Sequence, residues 1–247
     1  MIDNPIFWVT AIVSVIITGI SKGGFGGLAL LAVPLMALTI SPVQAAGIML
    51  PILIVMDWVS VWSYRKHWDK RLLILMLPGA ILGILAAWRF AAYVDDQFVR
   101  ICVGVIAVVF PIYAILKPKG RKDVVIGNKP LGLISGIAAG FTSFIAHAGG
   151  PPFQAYAIPQ GLEKRIYAGT AVMFFFVVNF VKLVPYAMLG QFDKTNLTTS
   201  LVLIPLAPIG VIIGVWLIKH IDQDVFYRIL YGLIFTVGIK LLWDGLV

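Results

Sequence analysis

The feature that most constrains this chain is a lysine among glycines inside a long apolar run. The run extends from about residue 5 to residue 40 and is interrupted by Lys22, Gly23, Gly24, Gly26 and Gly27. Roughly 20 residues suffice to cross a bilayer as a helix, so this run must be divided. Glycine is unfavourable within a helix, and a lysine in hydrocarbon is costly unless it faces protein, water or a ligand. The pattern therefore predicts a helix break that places a cation inside a membrane.

A second break of the same kind lies inside the apolar run over residues 131–158. It is formed by His147, Gly149, Gly150 and Pro151. Proline favours the first turn of a new helix because its ring fixes φ in advance. Helix N-termini carry unpaired N–H groups and a partial positive charge, which suits an anion. We therefore expect the two breaks to meet near the membrane midplane and to hold an anion between them.

Composition narrows the class of protein. The chain of 247 residues is 60% hydrophobic and 12% charged, with a mean hydropathy of +0.99. So little polar surface excludes a soluble domain, and continuous apolar runs favour helices over the short alternating strands of a barrel. The net charge of +8 does not indicate nucleic-acid binding, because the basic residues concentrate in short loops. One cysteine allows no disulfide and no cysteine metal site, and we expect no cofactor.

The two halves of the chain resemble each other at a nearly constant offset. Ala46 corresponds to Ala168, 122 residues later. Further pairs keep the order at offsets up to 128: Gly47 with Gly169, Pro78 with Pro205, Asp96 with Asp224, and Gly104 with Gly232. We predict a first repeat over residues 1–116, a linker over 117–129 and a second repeat over 130–247. Corresponding breaks in two halves are the best sequence indicator of a transporter's binding site.

Loop charge predicts the orientation of these repeats. The turn over residues 65–71 carries four Lys/Arg and the linker over 117–129 carries five, so both are expected on the cytoplasmic side. If each broken run enters and leaves by one face, the basic residues of later loops are also cytoplasmic and both termini are extracytoplasmic. The expected fold is an all-α polytopic membrane protein with two inverted repeats of five elements. We expect about eight full transmembrane helices, plus broken or re-entrant helices at the first two elements of each repeat.

Polar side chains inside the apolar runs are the candidate site residues. Lys22 is interpreted as the cation that attracts the anion, although it could instead reach the membrane interface. His147 could donate to the anion or carry a coupling proton, or it could simply bond a carbonyl. Gln154 follows the second break and could bond substrate oxygens.

A second group of candidates lies in the third element of each half. Asp57 and Asn179 are 122 residues apart, and Lys182 follows Asn179 by one turn. Asp57 is a candidate for coupling or gating, and a structural ion pair with Lys22 or Lys182 is the competing interpretation. Lys182 is a candidate second cation for the substrate.

The lysine-glycine break, the later Gly-Gly-Pro-Pro break and the two similar halves resemble the sulfite exporter TauE/SafE family, also called the toluene sulfonate uptake permease family. The resemblance covers nearly the whole chain. It implies a bacterial inner-membrane, multi-pass carrier of sulfite, organosulfonates or related sulfur-containing anions. Sulfur itself comes only from this resemblance, not from the spacing of any residues.

Three functions remain open at this point. The first is a secondary transporter of a small anion by alternating access, coupled to a proton or another cation or driven by the anion's own gradient, since no Walker glycine-lysine loop is present. The second is an anion channel. The third is an intramembrane enzyme, which is disfavoured because no second deep carboxylate and no paired histidine accompany Asp57 and His147. The sequence leaves open whether two copies pair as a homodimer.

Overall fold

A computed structural model describes residues 2, 4–23, 28–91, 93, 95–116, 128–217 and 223–247. The described residues form helices and no strands, which confirms the all-helical class. The first half contains α1 (Pro5–Lys22), a 3₁₀ turn (Leu28–Leu31), α2 (Ala32–Met36), α3 (Pro42–Tyr64), α4 (Lys70–Ala91) and α5 (Asp96–Leu116). The second half contains α6 (Lys129–Ala146), α7 (Gly150–Ala157), a 3₁₀ turn (Ile158–Gln160), α8 (Lys164–Met188), α9 (Lys194–Leu203), α10 (Leu206–Leu217) and α11 (Gln223–Leu246).

Polar side chains fix where several of these helices begin. Ser41 accepts a hydrogen bond from the Gln44 amide at 3.1 Å, and Pro42 opens α3. Asn4, Asn128 and Asp193 cap α1, α6 and α9 in the same way. Each cap satisfies an amide that has no partner within the helix.

The long helices confirm a polytopic membrane protein. Among the described residues, five helices are long and apolar enough to cross a bilayer, namely α1, α3, α4, α6 and α8. The pair α9 and α10 would make a sixth span, bent by 47° at its break. Within α5, the apolar segment Gln97–Val109 is shorter than these spans. The expected number of about eight full transmembrane helices stays a prediction.

Polarity is distributed as expected for a protein in lipid. Large apolar side chains face outward, and Trp62 and Ile74 are each 73% exposed. Charged and polar side chains lie inside instead, with Asp57 and Lys182 both at 0% exposure. An intramembrane charge that faces the protein interior marks a candidate functional site.

The closest helix crossings are made through glycines. In the crossing of α4 with α6, a Cβ added to Gly140 would collide with the Ala80 carbonyl. In the crossing of α1 with α10, a Cβ on Gly19 would lie 2.7 Å from the backbone of Gly210. Small residues let two backbones approach closely, and such contacts drive helix association in lipid. Both crossings join a helix of residues 1–116 to a helix of residues 130–247.

The remaining large contacts complete the bundle. Helix α3 packs against α8 in the interior, and α5 packs against α11. Helix α4 also contacts α8, while α3 contacts α9 and α10. The pair α3 and α8 therefore lies between two groups of helices, and the polar residues gather there.

Candidate functional site

A cavity of about 1090 Å³ lies between α3 and α8 and receives both helix breaks. Lys22 and Gly23 line it at the end of α1, and His147 lines it at the end of α6. Gly150 and Gln154 line it from the start of α7. None of the described lining residues is an aspartate or a glutamate. The cavity therefore joins the two interruptions that the sequence singles out, and its described lining contains no carboxylate.

Lys22 is held by a buried carboxylate next to the cavity. Its ammonium group forms an ion pair with Asp57 Oδ1, and the Lys22 side chain is 12% exposed while that of Asp57 is 0% exposed. Asn179 Nδ2 donates to the other oxygen, Asp57 Oδ2, at 2.6 Å. Lys22 Nζ also lies 5.6 Å from the centre of the Phe175 ring. Both oxygens of Asp57 are thus occupied, and the charges of Lys22 and Asp57 compensate each other.

Lys182 forms a second polar cluster with the end of α6. Its Nζ lies 3.0 Å from both the carbonyl and the hydroxyl oxygen of Ser143, and 2.8 Å from His147 Nδ1. These three contacts match the three hydrogens of an ammonium group. Lys182 is fully buried and does not line the cavity, whereas Ser143 and His147 do. Lys182 therefore reaches the cavity only through these two residues.

The His147 ring is fixed from both sides. Its Nε2 lies 3.0 Å from the Ala46 carbonyl of α3. A carbonyl only accepts, so Nε2 carries the hydrogen and Nδ1 is left to face Lys182. The His147 backbone is left-handed at φ 53°, and its amide bonds the Ser143 carbonyl to end α6. A left-handed backbone conformation costs a non-glycine residue about 1–2 kcal/mol. The two hydrogen bonds of the ring help to stabilise His147 in this conformation.

The cavity reaches one end of the molecule. Its lining continues along the last turn of α3 to Ser63 and Tyr64, and along the first turn of α8 to Arg165 and Tyr167. These residues flank the basic turn of residues 65–71. At the other end, Tyr186 donates to the Phe144 carbonyl at 2.6 Å and lies against the His147 ring. The described lining residues include none from the last turn of α8 but several beside the basic turn, so the cavity extends from the polar clusters toward that turn.

The structure brings together most of the candidate residues from the sequence. Asp57 and Lys182 do not line the cavity but contact residues that do. Six of the candidates line it, namely Lys22, Gly23, His147, Gly150, Gln154 and Asn179. Gly149 is buried in packing, since an added Cβ would lie 2.6 Å from the Ala139 carbonyl, and Pro151 does not line the cavity. The expectations for Gly24, Gly26 and Gly27 lie outside the described residues. Of the two partners considered for Asp57, the contact is made with Lys22.

Sequence reasoning missed three residues of this site. Ser143 is one turn before His147 and accepts from Lys182, but a serine in a helix is too common to stand out. Arg165 lines the outer cavity, and in the sequence it looks like a loop cation that sets orientation. Tyr186 looks like an interfacial aromatic in the sequence but is 3% exposed. The signal in the sequence that could have indicated Tyr186 is its position 122 residues after Tyr64, the same offset that relates Asp57 to Asn179.

Comparison with known proteins gives one family. The family model described as Sulfite exporter TauE/SafE matches residues 11–241. No curated protein and no solved structure matches the chain. The matched span includes both helix breaks and every residue described above as lining the cavity.

Proposed function

Because this chain belongs to the sulfite exporter TauE/SafE family, we propose that it is a secondary transporter of a small anion. The substrate would be sulfite or an organosulfonate, carried across the bacterial inner membrane. The observation that carries this proposal is the cavity itself. It joins the two helix breaks, it is lined by Lys22 and Arg165, and no carboxylate is among its described lining residues. Asp57 balances the charge of Lys22 from behind the lining, and with no carboxylate among the described lining residues the cavity surface favours an anion over a cation.

The bound anion would lie at the inner end of the cavity, beside Lys22 and the start of α7. The Ser143 hydroxyl lines this region and can donate to an anion oxygen, because its oxygen accepts from Lys182 and its hydrogen is free. The hydroxyls of Thr18 and Ser60 also line the cavity but donate to carbonyls of their own helices. Gly150 has only the Gln154 amide within 4 Å of an added Cβ, so its backbone is open to a ligand. The Gly23 amide is not free, because it donates to the Gly19 carbonyl at 2.9 Å. We retain Gly24, Gly26 and Gly27 as proposed sources of free backbone N–H groups, and Gly149 and Pro151 as the residues that open α7.

We also propose that the chain consists of two inverted repeats, with the boundaries expected from the sequence. Corresponding glycines make corresponding contacts, which supports this arrangement. A Cβ on Gly47 would lie 3.1 Å from the Gln191 carbonyl in the loop after α8, and one on Gly169 would collide with the His67 carbonyl in the loop after α3. Asp57 and Asn179 hydrogen-bond each other, as corresponding residues near a two-fold axis would. In this arrangement both termini are extracytoplasmic and residues 117–129 are cytoplasmic.

Alternating access would then follow from how the helices pack. With the basic turn of residues 65–71 in the cytoplasm, the cavity faces the cytoplasm. The glycine-rich crossings join α4 to α6 and α1 to α10. We therefore propose two moving bodies, each of which contains helices from both repeats. One body contains α1, α3, α9 and α10, and the other contains α4, α6 and α8. They would rock about the contact of α3 with α8, where Asp57, Asn179 and His147 lie.

Transport in proteoliposomes tests this function. Labelled sulfite and a short organosulfonate are supplied, with protein-free liposomes as control, and the membrane potential and pH gradient are varied. We expect flux of at least one anion that saturates with concentration and shows exchange. Currents at single-channel rates would identify a channel instead. Conversion of the substrate without net movement across the membrane would identify an enzyme.

Arg165 at the outer end of the cavity gives a separate prediction. It is exposed, lines the cavity and has no carboxylate partner among the described residues. Arg165→Gln should raise KM about 3- to 10-fold at low ionic strength and leave kcat nearly unchanged, because an exposed cation assists encounter. The difference should shrink in high salt, where the field is screened. Arg89→Gln, which removes another exposed arginine outside the cavity, is the matched control, and an equal effect there would contradict this role for Arg165.

A further inference from the structure

We propose that Lys182 and His147 together form a binding site for one proton, which is occupied when the anion is bound and crosses the membrane with it. This rests on the transport function proposed above and adds its coupling ion and stoichiometry. The site is the contact of Lys182 Nζ with His147 Nδ1 at 2.8 Å.

The hydrogen-bond pattern limits how many protons the pair can hold. His147 Nε2 carries a hydrogen because it faces the Ala46 carbonyl at 3.0 Å. If Lys182 is an ammonium, its three hydrogens go to Ser143 O, Ser143 Oγ and His147 Nδ1. If Lys182 is a neutral amine, it donates to Ser143 O and His147 Nδ1, and the Ser143 hydroxyl donates to the amine lone pair. In both states every N–H of Lys182 and of the His147 ring has an acceptor, and the two states differ by one proton.

A second proton cannot be added without breaking the contact. It would place an N–H on His147 Nδ1 facing the ammonium of Lys182 across 2.8 Å, which brings two positive donors together with no acceptor between them. The pair therefore has a charge of zero or of plus one. Lys182 is 0% exposed, and its neighbours Ser143 and His147 line the cavity, so the proton is exchanged with water in the cavity.

Charge balance links this proton to the anion. Lys22 is already neutralised by Asp57, and Asn179 bonds the second oxygen of that carboxylate. Lys22 and Asp57 are the charged groups that act on Lys182, Lys22 also acts on His147, and Tyr186 is the remaining ionisable group at the ring. Arg165 lies at the other end of the cavity, so an anion at the inner end brings a charge that no described group beside it balances. Protonation of the pair supplies the opposite charge, and loss of the anion makes this charge costly, because Lys182 is fully buried.

The location of the pair suits a coupled site. The His147 ring contacts the main cavity on one side. The Ala46 carbonyl that it bonds belongs to the lining of a second cavity of about 250 Å³, together with Phe144 and Tyr186. The ring therefore lies between the main cavity and residues that line the second, apolar cavity. A proton held there can face either side in turn as the two bodies rock.

The test uses proteoliposomes with labelled methanesulfonate, which remains a monoanion at all pH values used and so does not titrate as sulfite does. For the wild-type protein, an inside-alkaline gradient of one pH unit with the potential clamped at zero should give about tenfold accumulation. A membrane potential alone should give none, because one anion and one proton carry no net charge. Lys182→Gln should lose accumulation driven by pH. It should instead accumulate the anion about tenfold when the inside is positive by about 60 mV, because about 59 mV corresponds to a tenfold ratio for a single charge.

Lys240→Gln is the matched control, because Lys240 is exposed and pairs with Asp244 on the surface; it should behave as the wild type. Two results would overturn the proton site but not the transport function. The first is accumulation by the wild type that depends on membrane potential and not on pH. The second is pH-driven accumulation by Lys182→Gln. No methanesulfonate or sulfite flux at all would overturn both. Because Lys182→Gln could fail to fold, a second measurement uses only the wild-type protein. When methanesulfonate is added to purified protein in a weak buffer, the protein should take up about one proton per chain. If it takes up none, the proposal is overturned.

Discussion

Lys22→Gln should reduce saturable anion flux at least 100-fold. Lys22 lies at the end of α1, lines the cavity and is the only described cation at its inner end. A buried hydrogen bond to a charged partner contributes about 1.5–3 kcal/mol, and loss of the field at the binding site adds to this. The measurement is concentration-dependent uptake of sulfite and methanesulfonate into proteoliposomes, with equal amounts of protein recovered in the membrane. Unchanged flux with glutamine at this position would mean that the lysine is structural and that the anion lies elsewhere.

A double variant separates binding from structure. Lys22→Gln alone leaves the Asp57 carboxylate buried with only Asn179 as partner, which could by itself destabilise the fold by about 3–5 kcal/mol. Lys22→Gln with Asp57→Asn removes both charges and restores the balance. If Lys22 binds the anion, the double variant should fold like the wild type and remain inactive. Recovery of flux in the double variant would show that the lysine serves only to neutralise Asp57.

The sequence was most informative where local chemistry decides the structure. The two breaks were predicted from glycine, proline and a buried cation, and α1 ends at Lys22 while α6 ends at Ala146. Those signals depend on a few adjacent residues, because glycine and proline disfavour a helix interior whatever surrounds them. The membrane class followed from hydropathy, which depends only on composition over a window. Neither required knowledge of which helix packs against which.

The pairing of helices and the orientation of single side chains could not be predicted in this way. Glycines such as Gly83 and Gly140 indicate close packing but not the partner, which here lies in the other half of the chain. Lys182 was expected to face the substrate because it follows Asn179 by three residues. Three residues turn a helix by about 300°, so the two side chains differ by about 60°. That difference puts Asn179 in the cavity lining and Lys182 behind Ser143.

Gly140→Ala should strongly destabilise the protein, because it acts at the tightest helix crossing. An added Cβ would collide with the Ala80 carbonyl and lie 2.7 Å from the Ala80 Cα. Backbone cannot move aside as a flexible side chain can, so α4 and α6 would have to separate along their glycine contacts. Overpacking of this kind costs about 1–3 kcal/mol, which corresponds to a fall in apparent Tm of roughly 2–12 °C for a chain of this size. The measurement is thermal unfolding of purified protein in detergent.

Gly232→Ala is the matched control, since Gly232 also lies within a helix and no described atom comes within 4 Å of an added Cβ. Alanine is favoured over glycine in a helix by up to about 1 kcal/mol, so this variant should keep or slightly raise the apparent Tm. Equal Tm values for the two variants would contradict the close contact of α4 with α6. The result also bears on transport, because α4 and α6 belong to one of the two proposed moving bodies. If that body moves as a unit, Gly83→Ala, where an added Cβ would collide with the Ile137 carbonyl in the same crossing, should lower flux and Tm together rather than flux alone.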